Sequence, residues 1–210
     1  ADLYQLNVFD GSDLNRDITS GKVPPAATTS MQGDMFEFGR TYLEARAYRR
    51  LSAAHWSANN RERSLYNILA KAGVPMFPFG SGAGGNVDGY GMMLHRALKP
   101  YEDMVSRGEK PFMALMKQSD LQPFVNQVVS QLEQGYLNIN TLVAMDSRLD
   151  ELNWLYKLWE KRGLVLYNGL LYKLTSAGEF WTVNITQSTL EAMEYIITGK
   201  NSFALESVAV

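Results

Sequence analysis

Six residues near the middle of the chain, Gly80-Ser81-Gly82-Ala83-Gly84-Gly85, have the composition best suited to chemistry. A run so rich in glycine loses much conformational freedom on folding, and it persists where backbone must come close to something. Bare amides in such a loop bind a phosphate, a carboxylate or a nucleotide; the same residues serve equally well as a tight chain reversal. The loop is not of the NTPase type, because no lysine and hydroxyl follow it. Gly80-x-Gly82 continues as Ala83-Gly84-Gly85, which also lacks the spacing of a dinucleotide-binding turn.

His55 and His95 are the two histidines of the chain. An imidazole is the commonest axial ligand of haem iron, and it is also an ordinary packed side chain with one hydrogen bond. Arg46, Arg49, Arg50, Arg61 and Arg63 bracket His55. They could pair with carboxylates such as porphyrin propionates, or line a solvated face. The sequence contains no cysteine, which excludes a thiol nucleophile, a cysteine-ligated zinc site and an iron–sulfur cluster held by these residues. Glu62, Asp88 and Glu102 are scattered, so no catalytic acid, base or metal set is assigned.

These residues need elements to hold them. Leu3 to Phe9 reads as a strand closed by the turn Asp10-Gly11-Ser12. A strand so placed suggests a partner sheet beyond this chain. A loop through Val23-Pro24-Pro25 leads to Thr28-Thr29-Ser30, hydroxyls suited to capping a helix over residues 31–47. In that helix Met31, Met35, Phe38 and Tyr42 form one stripe, expected to be buried. Residues 50–56 read as a strand, and 61–72 as a helix ended by Gly73 and Pro75. Val74 to Phe79 reads as a short strand that empties into the glycine loop. A helix over residues 119–134 follows. Leu149, Leu152, Tyr156 and Trp159 then make a helical stripe, with Trp154 expected in the same small core. Residues 164–174 read as a hairpin around a type I′ Asn168-Gly169 turn, so helix plus hairpin outlines a small winged-helix-like module.

The bulk numbers bound the rest. With 46% hydrophobic residues, a 210-residue chain buries a substantial core, and a net charge of −2 gives no general attraction to nucleic acid. No apolar run approaches the roughly 20 residues of a membrane span. With no basic-then-apolar leader at its start, the expected location is the cytoplasm.

Several of these segments, in order, resemble oxygen-independent coproporphyrinogen III oxidase and its relatives among radical S-adenosylmethionine enzymes. Leu3 to Ser12 looks like that family's late barrel strand and turn, Val23-Pro24 like the approach to its methionine-rich helix, and Phe79-Gly80-Ser81-Gly82-Ala83 like its strand followed by Gly-x-Gly-Ala. His55-Trp56, Leu65-Tyr66-Asn67 and Pro78 to Gly85 are most similar to the anaerobic haem-degrading methyltransferases, the anaerobilin synthases. Glu62 to Asn67 lacks the His-Asn-x-x-Tyr-Trp of the haem-chaperone branch.

The resemblance implies an α/β fold comprising the C-terminal part of a partial TIM-type barrel, a helical and short-strand body over residues 1–135, and the winged-helix-like module over 136–210. It implies S-adenosylmethionine and a four-iron four-sulfur cluster in the intact enzyme, with the cluster ligands in an N-terminal barrel half outside this chain. Haem or a related tetrapyrrole is the implied substrate, and the implied reaction is methyl transfer with ring opening and iron release. Tyr4, Gln5, Leu6, Gly80, Ser81, Gly82, Ala83 and Gly84 are the implied cofactor-side residues; His55, Arg63 and His95 are the implied substrate-side ones.

Two other readings remain: a non-catalytic haem carrier, and a winged-helix regulator. The second is weakened because Asp150, Glu151, Glu160 and Glu179 offset the basic residues of the module. Lacking any thiolate, the isolated chain treated with iron, sulfide and reductant is expected to release no deoxyadenosine from S-adenosylmethionine; release above blank, measured by chromatography, would contradict this.

Overall fold

The computed structural model describes residues 1–200, so the last ten residues of the expected 136–210 module lie outside the described residues. The fold is mixed α/β. Helix α1 spans Asp13–Thr19 and α2 spans Thr29–Glu44, followed by a two-strand hairpin of β1 (Arg49–Arg50) and β2 (Trp56–Ser57) and by α3 (Leu65–Lys71). Strands β3 (Gly84–Val87), β4 (Tyr90–Leu94) and, after α4 (Leu98–Ser106), β5 (Phe112–Lys117) form an antiparallel sheet in the order β3-β4-β5. Then come α5 (Gln122–Glu133), β6 (Tyr136–Leu137), α6 (Ile139–Val143), a 3₁₀ turn at Ser147–Glu151, α7 (Leu152–Lys161), β7 (Val165–Tyr167) and β8 (Tyr172–Leu174). Two helices, α8 (Ser176–Phe180) and α9 (Thr182–Thr198), complete the described chain.

Burial is uneven. Among the described residues, Leu43, Trp56 and Leu94 are the buried hydrophobic side chains before residue 121, whereas one continuous cluster runs from Val128 on α5 to Met193 on α9. The expected stripe Leu149, Leu152, Tyr156 and Trp159 lies inside this cluster, while Trp154 points away and is 62% exposed. On α9, Ile185, Thr189 and Met193 repeat every four residues and face the same core. The Tyr156 hydroxyl donates to Thr189 Oγ1 at 2.9 Å, and Thr189 donates in turn to the Ile185 carbonyl at 2.7 Å, so both buried hydroxyls are satisfied. Burial pushes the Tyr156 phenol far above its ordinary range.

Besides Trp154, other sequence expectations are corrected: residues 50–56 are not one strand, because β1 and β2 pair as a hairpin with a loop between them. Tyr4 to Phe9 belongs to no ladder: the segment is tied through an isolated Asp2–His55 bridge and the Leu3 amide on the Ala54 carbonyl at 2.9 Å. Alternation alone cannot make a strand without a neighbour for its backbone groups. The α2 stripe of Met31, Met35, Phe38 and Tyr42 is exposed; the helix buries Leu43 instead, because no element of the described chain lies over its apolar face. Val74 to Phe79 makes one bridge, Met76 to Asn86, rather than a strand. The hairpin closes through a four-residue loop, not a type I′ turn. Tyr167 pairs with Tyr172, and the Asn168 side chain accepts from the Leu170 and Leu171 amides at 3.0 and 2.9 Å.

The N-terminal elements are moored to the core by carboxylates. Glu179 on α8 accepts from Arg40 Nε of α2 at 3.1 Å and lies 3.6 Å from Arg50 Nη1 of β1, whose side chain is 10% exposed. Glu133 on α5 accepts from the Ala53 amide at 3.2 Å and lies 3.4 Å from Lys71 Nζ. Burial raises the Glu179 carboxyl and lowers the Arg50 guanidinium against the pull of their attraction, so the pair is held at a desolvation cost.

Gly135, at φ +85°, lets the chain pass where a Cβ would stand 2.7 Å from Arg50 Nη1. Glu179→Ala is therefore expected to lower stability by about 3 kcal/mol, because it strands a buried guanidinium. The double change Arg50→Met, Glu179→Leu is expected to recover most of that loss; urea unfolding followed by tryptophan fluorescence reads both.

Candidate functional site

The implied site residues fall into two groups. Tyr4, Gln5 and His55 line one cavity of about 420 Å³, whose wall also includes Lys71, Glu133 and Glu179. Here His55 is held at both ring nitrogens: Nδ1 is 2.8 Å from Ser52 Oγ, and Nε2 is 3.3 Å from the Tyr4 hydroxyl. Asp2 Oδ1 lies 3.6 Å from the same Nε2, and the Tyr4 ring meets the imidazole edge-on with centroids 6.0 Å apart. The loop between β1 and β2 places His55, because the Leu51 amide donates to the His55 carbonyl at 2.8 Å. Leu6, with Tyr4 and Gln5, also borders a second, more apolar cavity of about 610 Å³ against Met35 and Phe36.

The glycine loop stands elsewhere, at the end of β4. The Gly82 amide donates to the His95 carbonyl at 2.8 Å, and the Ala83 amide donates to the Gly80 carbonyl at 3.2 Å. Ser81 Oγ donates to the His95 and Arg96 carbonyls at 3.0 and 2.9 Å. Gly84 and Gly85 enter the ladder opposite Met93 and Met92. Two loop amides are thus spent within the chain, and a close approach is made by Gly85, where a Cβ would overlap the Met76 carbonyl oxygen and stand 2.7 Å from Pro78 Cδ. His95 is half-buried, and its ring has no hydrogen-bond partner among the described residues. Arg63 is exposed and lines none of the cavities described.

The five arginines do not form one patch. Arg50 is buried on Glu179, and Arg46 stacks 3.5 Å over the Tyr42 ring, while Arg49, Arg61 and Arg63 are exposed. Sequence reasoning missed a third concavity, an apolar groove of about 580 Å³ between Phe77–Phe79, the β3-β4-β5 sheet and α4. Its signal was present in the alternation of Tyr90, Met92 and Leu94, which puts one apolar face on that sheet. Among the described residues no cluster of carboxylates and histidines could hold a metal, and no helix is long and apolar enough to cross a membrane.

Anaerobilin synthase of Escherichia coli O157:H7 is 30% identical to this chain over 196 residues, 93% of the chain and 43% of that protein. The chain therefore spans less than half the length of the curated relative it matches. The solved structure of coproporphyrinogen III oxidase from Escherichia coli, described as a radical S-adenosylmethionine enzyme, matches with a TM-score of 0.57. That match covers 78% of this chain and 42% of the other at 14% identity, a likeness of fold. No protein-family model matches. The likeness expected from the sequence stands: the chain resembles the C-terminal part of a radical S-adenosylmethionine enzyme of this type.

The loop glycines separate by geometry. Gly84→Ala has room, its nearest neighbour being the Met92 carbonyl oxygen at 3.8 Å, and is expected to leave the melting temperature nearly unchanged. Gly82→Ala, at φ +75°, is expected to cost about 1–2 kcal/mol, and Gly85→Ala more, because backbone must shift. Thermal unfolding of the three variants checks the order.

Proposed function

We propose that this chain is the substrate-side part of a radical S-adenosylmethionine enzyme acting on haem, by methyl transfer with ring opening and iron release, in the cytoplasm. The observation that carries the reading is the match to anaerobilin synthase along nearly the whole chain. The exposed face supports it. Tyr4, Leu6 and Phe9 project from a segment whose Tyr4, Gln5 and Leu6 amides make no hydrogen bond among the described residues, and the neighbouring α2 stripe is bare. An unpaired segment of that kind suits the wall of a partial barrel completed by an N-terminal half.

The cluster does not fit these residues, since no thiolate is present to hold it. S-adenosylmethionine fits better. The free amides of Tyr4 to Leu6 would receive its adenine by backbone contact, and residues 80–84 would face the substrate or methyl-donor side. The cofactor supplies the radical and the methyl group; the chain supplies orientation and exclusion of water. On the substrate side we place His55, Arg63 and His95. Of the two imidazoles, His95 is the freer to meet a ligand, because His55 would first have to release Tyr4 or Ser52.

The division into a body over 1–135 and a winged-helix-like module over 136–210 belongs to the same proposal. In it α5 goes physically with the module, because Val128 and Leu132 fill the module's core.

The encoding reading frame is expected to carry Cys-x-x-x-Cys-x-x-Cys ahead of residue 1. Its whole product, reconstituted without oxygen, is expected to form deoxyadenosine and consume haem. A product that binds haem unchanged would favour a carrier, and salt-dependent duplex binding without haem turnover would favour a regulator; either result contradicts the proposal.

A further inference from the structure

We propose that the groove bounded by Phe77, Phe79, Tyr90, Met92 and Leu115 seats the flat macrocycle of the tetrapyrrole, with Lys110 at its edge receiving a carboxylate side chain; this rests on the haem reading above. The groove lies apart from the cavities that hold His55 and Tyr4, and it is built rather than incidental. The Met76 amide donates to the Asn86 carbonyl at 2.8 Å, the Asn86 amide donates back at 3.0 Å, and Asn86 Oδ1 accepts from the Met76 amide at 3.1 Å. Gly85 lets that strap lie against the sheet, since any side chain there would strike Met76 and Pro78.

Beyond the Met76 bridge, the strap leaves Phe77 and Phe79 in water, 70% and 88% exposed. Aromatic rings left in water beside an apolar groove offer a large area to an apolar surface that covers them. The opposite wall is the even face of the sheet, where Tyr90, Met92 and Leu115 stand in register, with Met92 paired to Leu115. A thioether between aromatic walls suits a flat π-system.

The volume of about 580 Å³ lies within the roughly 300–1,000 Å³ usual for small-molecule sites. Polarity selects the occupant. Two charged side chains line the groove, Lys110 and Asp88, and neither makes an ion pair among the described residues, so the slot offers a carboxylate ligand one cation and must keep that ligand clear of Asp88. A macrocycle with carboxylates on one edge matches that pattern; an uncharged polycycle would leave Lys110 idle.

The test titrates the full chain with haemin and with haem dimethyl ester, read by Soret absorbance. Phe79→Asp and Leu115→Asp change side chains more than half exposed, so both variants are expected to melt like the parent. Each is expected to raise the haemin Kd by about tenfold or more, because a carboxylate would be buried against the ring. Lys110→Gln is expected to weaken haemin but not the ester.

If the parent binds haemin and all three variants bind equally well, the placement is wrong while the haem reading survives. If the parent binds neither ligand, both are overturned. Concentration-dependent dimerisation of the parent, abolished by Phe79→Asp and unaffected by haemin, would assign the groove to a second copy and overturn the proposal.

Discussion

Two carboxylates on the C-terminal core, Glu179 and Glu133, receive the cationic and amide groups of the N-terminal elements, and the cavity that holds Tyr4 and His55 follows from that. Glu179 takes Arg40 from α2 and Arg50 from β1; Glu133 takes Lys71 from α3 and the Ala53 amide beside His55. With three hydrophobic side chains buried before residue 121 among the described residues, apolar packing cannot orient those elements by itself. Directional, partly buried ion pairs can, since each fixes both a distance and an approach. The cost appears as desolvation, visible in the raised Glu179 and lowered Arg50, and it is the sort of cost that specifies geometry more than it adds stability.

The result is a molecule with a packed C-terminal core and with N-terminal elements that leave much apolar surface bare. The core from α5 to α9 interlocks aromatic and aliphatic side chains around the satisfied Tyr156–Thr189 pair. The N-terminal elements expose Tyr4, Leu6, Phe9 and the α2 stripe, and the strap exposes Phe77 and Phe79. Surfaces of this kind are unusual on a domain with no partner. They are the surfaces proposed above for a completing half and for the substrate.

Legibility in the sequence followed the distribution of the core. The stripe Leu149, Leu152, Tyr156 and Trp159 and the helix expected over residues 119–134 were readable, because local periodicity and tertiary burial agree there. The α2 stripe was readable as amphipathic, yet its burial was not, since periodicity says that a face is apolar and not what covers it. Tyr4 to Phe9 failed as a strand for the same reason. At the glycine loop composition correctly marked a close approach, but the tightest contact is Gly85 against the Met76–Pro78 strap, which depends on a neighbour nine residues away. The separation of His55 from the loop, and the dispersal of the arginines, were invisible to a reading that took proximity in sequence as proximity in space.

Hydrogen–deuterium exchange of the chain with and without haemin tests the central claim most directly, since it reports where the ligand acts without presupposing a residue. Protection is expected over residues 76–94 and 112–117, with α7 and α9 unchanged. Protection confined to α7–α9, with residues 76–94 and 112–117 unchanged, would contradict the account.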